Sequence, residues 1–244
     1  MRLDVFLTQN RLVRSRSEAA KLIAESNVLL DGVPCLRAAA AVPEDMDSAR
    51  ITVNREAHPY VSRGGEKLAA ALAAFRISPR GRVALDIGAS SGGFTDCLLQ
   101  HGAERVFAVD SGEGQLVPAL REDPRVLVYE HYNARFLKAA DFPCLPSFAV
   151  MDVSFISATL IFPSLAALLS PETPFICLIK PQFEVGRAGL GKGGIVREEG
   201  LRRKAKERVC ASAAEQGFFL LGTIDSPIPG GDGNLEYLAA FIRR

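Results

Sequence analysis

One stretch limits the possible folds more than any other. Leu85-Asp86-Ile87-Gly88-Ala89-Ser90-Ser91-Gly92-Gly93-Phe94-Thr95-Asp96 reads as a short apolar strand that breaks into a glycine-rich turn and then opens a helix. Gly88, Gly92 and Gly93 remove Cβ atoms where a ligand would lie against the backbone, and a helix starting near Phe94 aims free N–H groups at the same spot. Asp86 closes the strand. One strand later, residues 105–110 end on Asp110, a second acid at the edge where doubly wound folds bind the ribose hydroxyls of nucleotide cofactors.

The glycine spacing is Gly-x-x-x-Gly-Gly, not the Gly-x-Gly-x-x-Gly of dinucleotide sites. A pyrophosphate gains from a helix N-terminus but is repelled by an acid at the strand end. A cationic cofactor without phosphate suits that acid, and S-adenosylmethionine, with its amino group, sulfonium and ribose diol, fits the description.

From residue 82 onward apolar strands alternate with helical stretches: 82–87, 105–110, 125–130, 148–152 and 174–180. This rhythm predicts a mostly parallel sheet covered on both faces. Two more apolar runs, 218–224 and 237–242, follow one another without a helix and are expected to pair as an antiparallel hairpin. The helix expected over 157–169 contains Pro163 and is expected to kink there. With 48% hydrophobic residues the chain can bury such a sheet. The fold class is therefore α/β, a Rossmann-like domain with a C-terminal antiparallel hairpin, preceded by a small α+β domain.

The expected division is a small domain over 1–55, a linker over 56–62 and the large domain over 63–244. In the small domain, two short helices and a small sheet are expected, with Ser15-Arg16-Ser17-Glu18 offering an N-cap to the second helix. Arg11, Arg14, Arg16, Lys21 and Arg37 gather on its helical side, a cluster of one sign that suits phosphate contact. Net charge over the whole chain is only +1, so any nucleic-acid surface must be local. Five scattered cysteines form no Cys-x-x-Cys pair. This predicts a reduced, cytoplasmic setting and no metal requirement. No signal peptide and no apolar run of bilayer-spanning length, ~18 residues, is visible, so no membrane partner is expected.

Arg2-Leu3-Asp4-Val5-Phe6-Leu7, Ser15-Arg16-Ser17-Glu18-Ala19 and Val28-Leu29-Leu30-Asp31-Gly32 resemble the small RNA-binding module named after the fourth ribosomal protein of the small subunit. The resemblance implies that Arg14, Arg16 and Lys21 meet structured RNA.

In the large domain Asp152 ends the fourth strand, Lys180 ends the fifth and Glu236 precedes the last. In an open α/β sheet the first two share a crevice with Gly88 and Asp110. Phe155 and Phe183 are expected to bury them in part, which would set their protonation. Lys67 falls in the first turn of a helix, where a lysine is misplaced against the helix dipole, although a solvated surface lysine is the commoner case.

Together these segments are similar to the FtsJ-like ribose 2'-O-methyltransferases, and the whole arrangement to their TlyA family, in which the name hemolysin is common. Five blocks carry the likeness: residues 61–68, 86–96, 152–157, 179–184 and 233–237. It implies transfer of a methyl group from S-adenosylmethionine to a ribose 2'-hydroxyl, expected to be a cytidine of ribosomal RNA, with ribosomal RNA or ribosomal subunits as partner. Lys67, Asp152, Lys180 and Glu236 match the catalytic tetrad. Gly88, Ser90, Gly92, Asp110, Asn133 and Asp152 match cofactor contacts, to which Asp86 and Phe94 of the glycine turn are added. Arg63, Arg187 and Lys192 extend the expected RNA surface. Two departures touch the adenosine side: Ser111-Gly112-Glu113-Gly114-Gln115 replaces a glycine-and-aromatic turn, and His131-Tyr132 stands where an Arg-Thr pair is more usual.

The same residues admit competing functions. Residues 186–192 match Gly-x-x-x-x-Gly-Lys, but Gly193 replaces the Ser or Thr that would hold magnesium and no apolar helix follows, so 186–194 reads better as a mobile basic lid. The chain could also be an RNA-binding protein without catalysis, or a membrane-active hemolysin. A hemolysin would need a spanning or strongly amphipathic segment that is not apparent.

Overall fold

The computed structural model describes residues 1–13, 15–24, 27–35, 37–53 and 59–244. Two compact units divide the chain, Met1–Ala57 and His58–Arg244.

In the first unit, α1 (Leu3–Gln9) and α2 (Arg16–Ala24) precede a three-stranded antiparallel sheet of β1 (Val28–Leu30), β2 (Val33–Pro34) and β3 (Ile51–Val53), in the order β2-β1-β3. Ser15 Oγ accepts from the Glu18 N–H at 3.1 Å, the N-cap its position predicts. Between β1 and β2 only Asp31 and Gly32 intervene, both at positive φ, as a tight hairpin turn requires. Leu3, Phe6 and Leu7 of α1 pack with Ala19 and Ile23 of α2 over Val28 and Ile51.

The second unit opens with α3 (Gly64–Phe75) and continues as β4 (Val83–Ile87), α4 (Gly93–Gln100), β5 (Arg105–Val109), α5 (Pro118–Arg121), β6 (Val126–Tyr129), β7 (Phe148–Met151), α6 (Phe162–Leu168), β8 (Pro174–Ile179), α7 (Glu199–Glu215), β9 (Phe218–Asp225) and β10 (Tyr237–Arg243). One sheet takes all seven strands in the order β6-β5-β4-β7-β8-β10-β9. The first five are parallel, and β10 runs antiparallel to both neighbours. Strand order reverses between β4 and β7, which opens a crevice at their carboxyl ends.

Alternate residues of each strand feed two separate cores, one per face. Leu85, Phe107, Met151, Phe175 and Phe241 face α6 and α7, while Ala84, Val106, Val150, Ile176 and Leu238 face α3 and α4.

Two sequence expectations need correction. No α-helix lies between β6 and β7, where only the 3-10 turns Ala134–Phe136 and Ala139–Asp141 occur. Phe142 fills the layer there, stacking on Phe107 at 5.2 Å between centroids and leaning on Tyr129 and Tyr132. Pro143 and Pro146 deny this stretch a helix. Nor is the 157–169 segment one kinked helix. It consists of a 3-10 turn, Ala158–Leu160, and then α6, with Pro163 in the first turn of α6, where a missing N–H costs nothing.

Candidate active site

The glycine turn is built for packing as much as for a ligand. Gly88 has φ +85°, and a Cβ there would strike the Asp152 carbonyl, so its absence lets β4 and β7 end side by side. A Cβ on Gly92 would strike Leu116 and Leu120, and one on Gly93 would strike Ser62 and the Gly65 backbone. Gly93 thus lets α3 and α4 touch. Phe94 is 3% exposed and belongs to the core on that face. Asp86 is wholly buried and takes a hydrogen bond from Thr95 Oγ1 at 2.6 Å. Burial pushes its carboxyl up to about 7, against the pull of Thr95 and with the help of the neighbouring Asp152 and Asp110 charges. Asp86, Gly92 and Phe94, expected to touch a cofactor, are therefore absent from the pocket wall.

That pocket, about 480 Å³, lies at the strand reversal. Gly88, Ser90, Asp110, Asn133 and Asp152 line it, together with Gln115, Tyr132, Ser154 and Phe155. Asp110 is held by two backbone amides: Ser90 N–H donates to Oδ2 at 2.8 Å and Gly112 N–H to Oδ1 at 2.7 Å. Each oxygen keeps a lone pair for a further donor. Ser90 Oγ donates to Gln115 Oε1 at 3.1 Å, which draws the 111–116 turn over the glycines. Asn133 Oδ1 accepts from the Arg135 N–H at 3.1 Å and so fixes the turn that carries it. Tyr132 donates to the Asp141 carboxylate, and desolvation together with that acid raises its hydroxyl to about 12. Two carboxylates and no cationic side chain line this pocket.

Two lysine–carboxylate pairs stand at this end of the sheet, and one of them shares Asp152 with the pocket wall. Lys180 Nζ lies 2.6 Å from Asp152 Oδ1 and donates to Ser154 Oγ at 2.8 Å. Lys67 Nζ lies 2.5 Å from Glu236 Oε2, with side chains 10% and 2% exposed. Pairing of Tyr237 with Ile179 puts Glu236 and Lys180 at the same sheet edge. All four tetrad residues thus gather at one end of the sheet. Lys67 is not a solvated surface lysine, and its charge is matched by an acid. Phe155 does not cover the Lys180 pair either. It is 92% exposed at φ +64°, a backbone that bulky residues rarely adopt, and its ring tilts against Phe183 at 5.3 Å between centroids.

A family model for FtsJ-like methyltransferases matches residues 60–243. The chain belongs to that family. As an FtsJ-like methyltransferase it also carries an S4 domain match over residues 1–47. It is 43% identical over 236 residues to the 16S/23S rRNA (cytidine-2'-O)-methyltransferase TlyA of Mycobacterium tuberculosis, covering 97% of this chain and 87% of that protein. Identity is also 43% to Hemolysin A of Brachyspira hyodysenteriae, over 99% and 100% of the two chains. A solved Streptococcus thermophilus structure bearing a hemolysin name superposes with a TM-score of 0.78 at 42% identity, covering 100% of this chain and 88% of that one.

The basic residues expected to meet RNA fare unevenly in this methyltransferase. Arg14 lies outside the described residues, as does the side chain of Lys21. Arg16 Nη2 donates to Asp4 Oδ2 at 3.1 Å, and Arg2 grips the same carboxylate through Nε and Nη2, both at 3.0 Å. Hydrogen bonding to Arg2, with Arg16 helping, brings Asp4 down to about 2. Arg63 stands at the N-terminal boundary of α3. Arg187 and Lys192 are exposed on successive 3-10 turns, Arg187–Gly189 and Lys192–Gly194. Asn234 secures the second of these, accepting from the Val196 N–H at 2.9 Å and donating to the Gly194 carbonyl at 3.1 Å. Among the described residues no group of three or more His, Cys, Asp or Glu side chains is placed to hold a metal ion, and no helix is long and apolar enough to cross a membrane.

Sequence reading missed Ser154, Gln115 and Glu184. Ser154 and Glu184 sit inside the family-like blocks 152–157 and 179–184, but their partners are 26 and 27 residues away, and nothing local announces them.

Proposed function

We propose that this protein transfers a methyl group from S-adenosylmethionine to the ribose 2'-hydroxyl of a cytidine in ribosomal RNA, acting in the cytoplasm on RNA or ribosomal subunits. One observation carries the reading: an amine held by two partners, Asp152 and Ser154, that themselves line an acid-walled pocket. The TlyA relatives, named for the same transfer, support it over nearly the full chain.

The pocket's chemistry fits the cofactor. Among the described residues its charged wall groups are Asp110 and Asp152; Lys180 already balances Asp152, so Asp110 carries the preference for a cation over a phosphate. Asp110, with one lone pair left on each oxygen, would accept from the ribose diol, and Asn133 and Tyr132 would hold the adenosine side. When bound, S-adenosylmethionine supplies an electrophilic methyl group on a sulfonium. Having first given up its own proton, Lys180 as the neutral amine receives the proton of the attacking 2'-hydroxyl, while Asp152 and Ser154 aim its Nζ. A positioned base of this kind is worth roughly 10²–10⁴ in rate. Lys67 and Glu236, a buried pair behind the site, hold its surroundings at fixed charge. Arg16, Arg63, Arg187 and Lys192 contact RNA phosphates, with Arg14 and Lys21 beside Arg16 in sequence.

The deciding experiment is transfer of labelled methyl from S-adenosylmethionine to isolated ribosomal subunits, followed by mapping of the modified nucleotide. Label on a cytidine ribose is the expected result. Label on a base, or none with either subunit, would overturn the reading.

A further inference from the structure

Glu184 takes no part in the methyl-transfer chemistry, yet it is 4% exposed and lies four residues beyond Lys180. A carboxylate is not buried cheaply unless partners hold it. This one reaches from the end of β8 to the loop that follows β7. Its Oε2 accepts from Ser157 Oγ at 2.6 Å and its Oε1 from the Ala158 N–H at 2.8 Å. Arg208 Nη1 donates to its backbone carbonyl at 2.8 Å, pinning the residue from α7. Burial raises the carboxyl above its ordinary range, and the Ser157 and Ala158 bonds oppose that shift.

The segment gripped in this way is short and strained. Residues 153–156 line the pocket, Ser154 meets the Lys180 amine, and Phe155 sits in the left-handed region. Such a backbone persists only where its surroundings over-determine it. One end is tied by the Asp152 N–H donating to the Ile87 carbonyl at 2.9 Å. Glu184 ties the other end, from the same strand terminus that supplies Lys180.

We propose that Glu184 is a positioning residue for methyl transfer, its carboxylate setting the 153–157 loop so that Ser154 and Asp152 hold the Lys180 amine in register. The assignment rests on the proposed function, so its test includes one readout that does not.

The full-length protein is compared with Glu184→Ala, Glu184→Gln, Ser157→Ala and the Glu184→Ala/Ser157→Ala double variant. A glutamine keeps an acceptor for the Ala158 amide and turns its NH₂ toward Ser157 Oγ, whose proton can point to Thr159 Oγ1, 2.8 Å away. Hydrogen exchange by mass spectrometry should show residues 153–160 of Glu184→Ala exchanging about 10-fold faster, with β4 to β7 unchanged and Glu184→Gln near native. On ribosomal subunits, kcat should fall about 10-fold in Glu184→Ala, with a smaller change in KM for S-adenosylmethionine, and recover in Glu184→Gln. The double variant should be no worse than Glu184→Ala alone, because both changes break one connection.

Native turnover in Glu184→Ala would overturn the assignment. So would multiplying defects in the double variant, or a loss that Glu184→Gln fails to rescue while exchange rises across the whole sheet. Should Glu184→Ala not fold, an unimpaired Ser157→Ala overturns it equally. If the native protein labels no RNA, the proposed function fails by itself, while the exchange experiment still decides whether Glu184 holds the loop.

Discussion

Lys67–Glu236 and Lys180–Asp152 are the same chemical pair in two settings. The first is sealed, with Glu236 2% exposed and neither partner on the pocket wall. In the second, Asp152 is 22% exposed and borders the pocket, and the amine has a serine as an additional partner. A sealed pair gives its charges no outlet, so losing one partner leaves an uncompensated ion in a medium that solvates it badly. A pair at the lip can exchange its partner for water or ligand. Asp86 belongs with the sealed group and Asp110 with the lip. The lesson is that the sealed charges should register in stability, and the lip charges in binding and rate.

The sharpest way to break that contrast is Lys67→Met. It strands Glu236 and should cost about 3–5 kcal/mol in urea unfolding, whereas Lys180→Met should cost far less because Asp152 regains water. Equal losses for the two would abolish the distinction.

Asp86→Asn probes the same sealed region through pH. The folded-state carboxyl is raised to about 7, whereas the unfolded one titrates near 3.9. Below that window both states hold the proton. Between about pH 4 and 7 only the folded state keeps it, so the native protein loses stability as pH rises, by up to ~1.4 kcal/mol per unit. Relative to native, Asp86→Asn should gain stability across this window and level off above it. A difference that stays flat from pH 4 to 8 would show that Asp86 is ionised throughout.

At the lip, Lys180→Arg keeps the charge but cannot yield a proton near neutrality. It should fold and bind cofactor and RNA, yet transfer methyl groups at least ~10²-fold more slowly. Near-native turnover would reduce Lys180 to a positioning charge. The smallest effect is expected for Asp110→Ala, whose affinity for S-adenosylmethionine should drop ~10-fold by calorimetry with unfolding little changed, since it removes a charged hydrogen-bond acceptor. Unaltered affinity would take Asp110 out of the cofactor site.

The same contrast marks what could be read from residue order. Every strand of the large sheet was legible to within a residue or two, because its apolar runs are bounded by turn residues and charges. The lip was legible too: strand ends carry Asp110, Asp152 and Lys180, and the topology of an open sheet brings such ends together. What resisted was whatever depends on a distant partner. Lys67 looks like a surface lysine until Glu236 arrives from 169 residues away. Gly92 and Gly93 suggest a ligand until Leu116, Leu120 and Ser62 are found in the space they leave. An aromatic cluster around Phe142 took the place of a helix that alternation alone would predict.

The insertion of β10 between β8 and β9 bears on how the protein is made. The strand of this sheet that comes last in chain order, β10, occupies an interior position, and the residue just before it supplies the partner of Lys67. At typical synthesis rates the 169 positions separating the two take on the order of 10–30 s to add. Throughout that interval the nascent chain has a lysine with no counter-charge, and once β8 has been made it has β8 as an open edge as well. A premature stop at position 236 would therefore do more than shorten the chain. It would leave β8 and β9 without the strand between them and the site without one of its four charges.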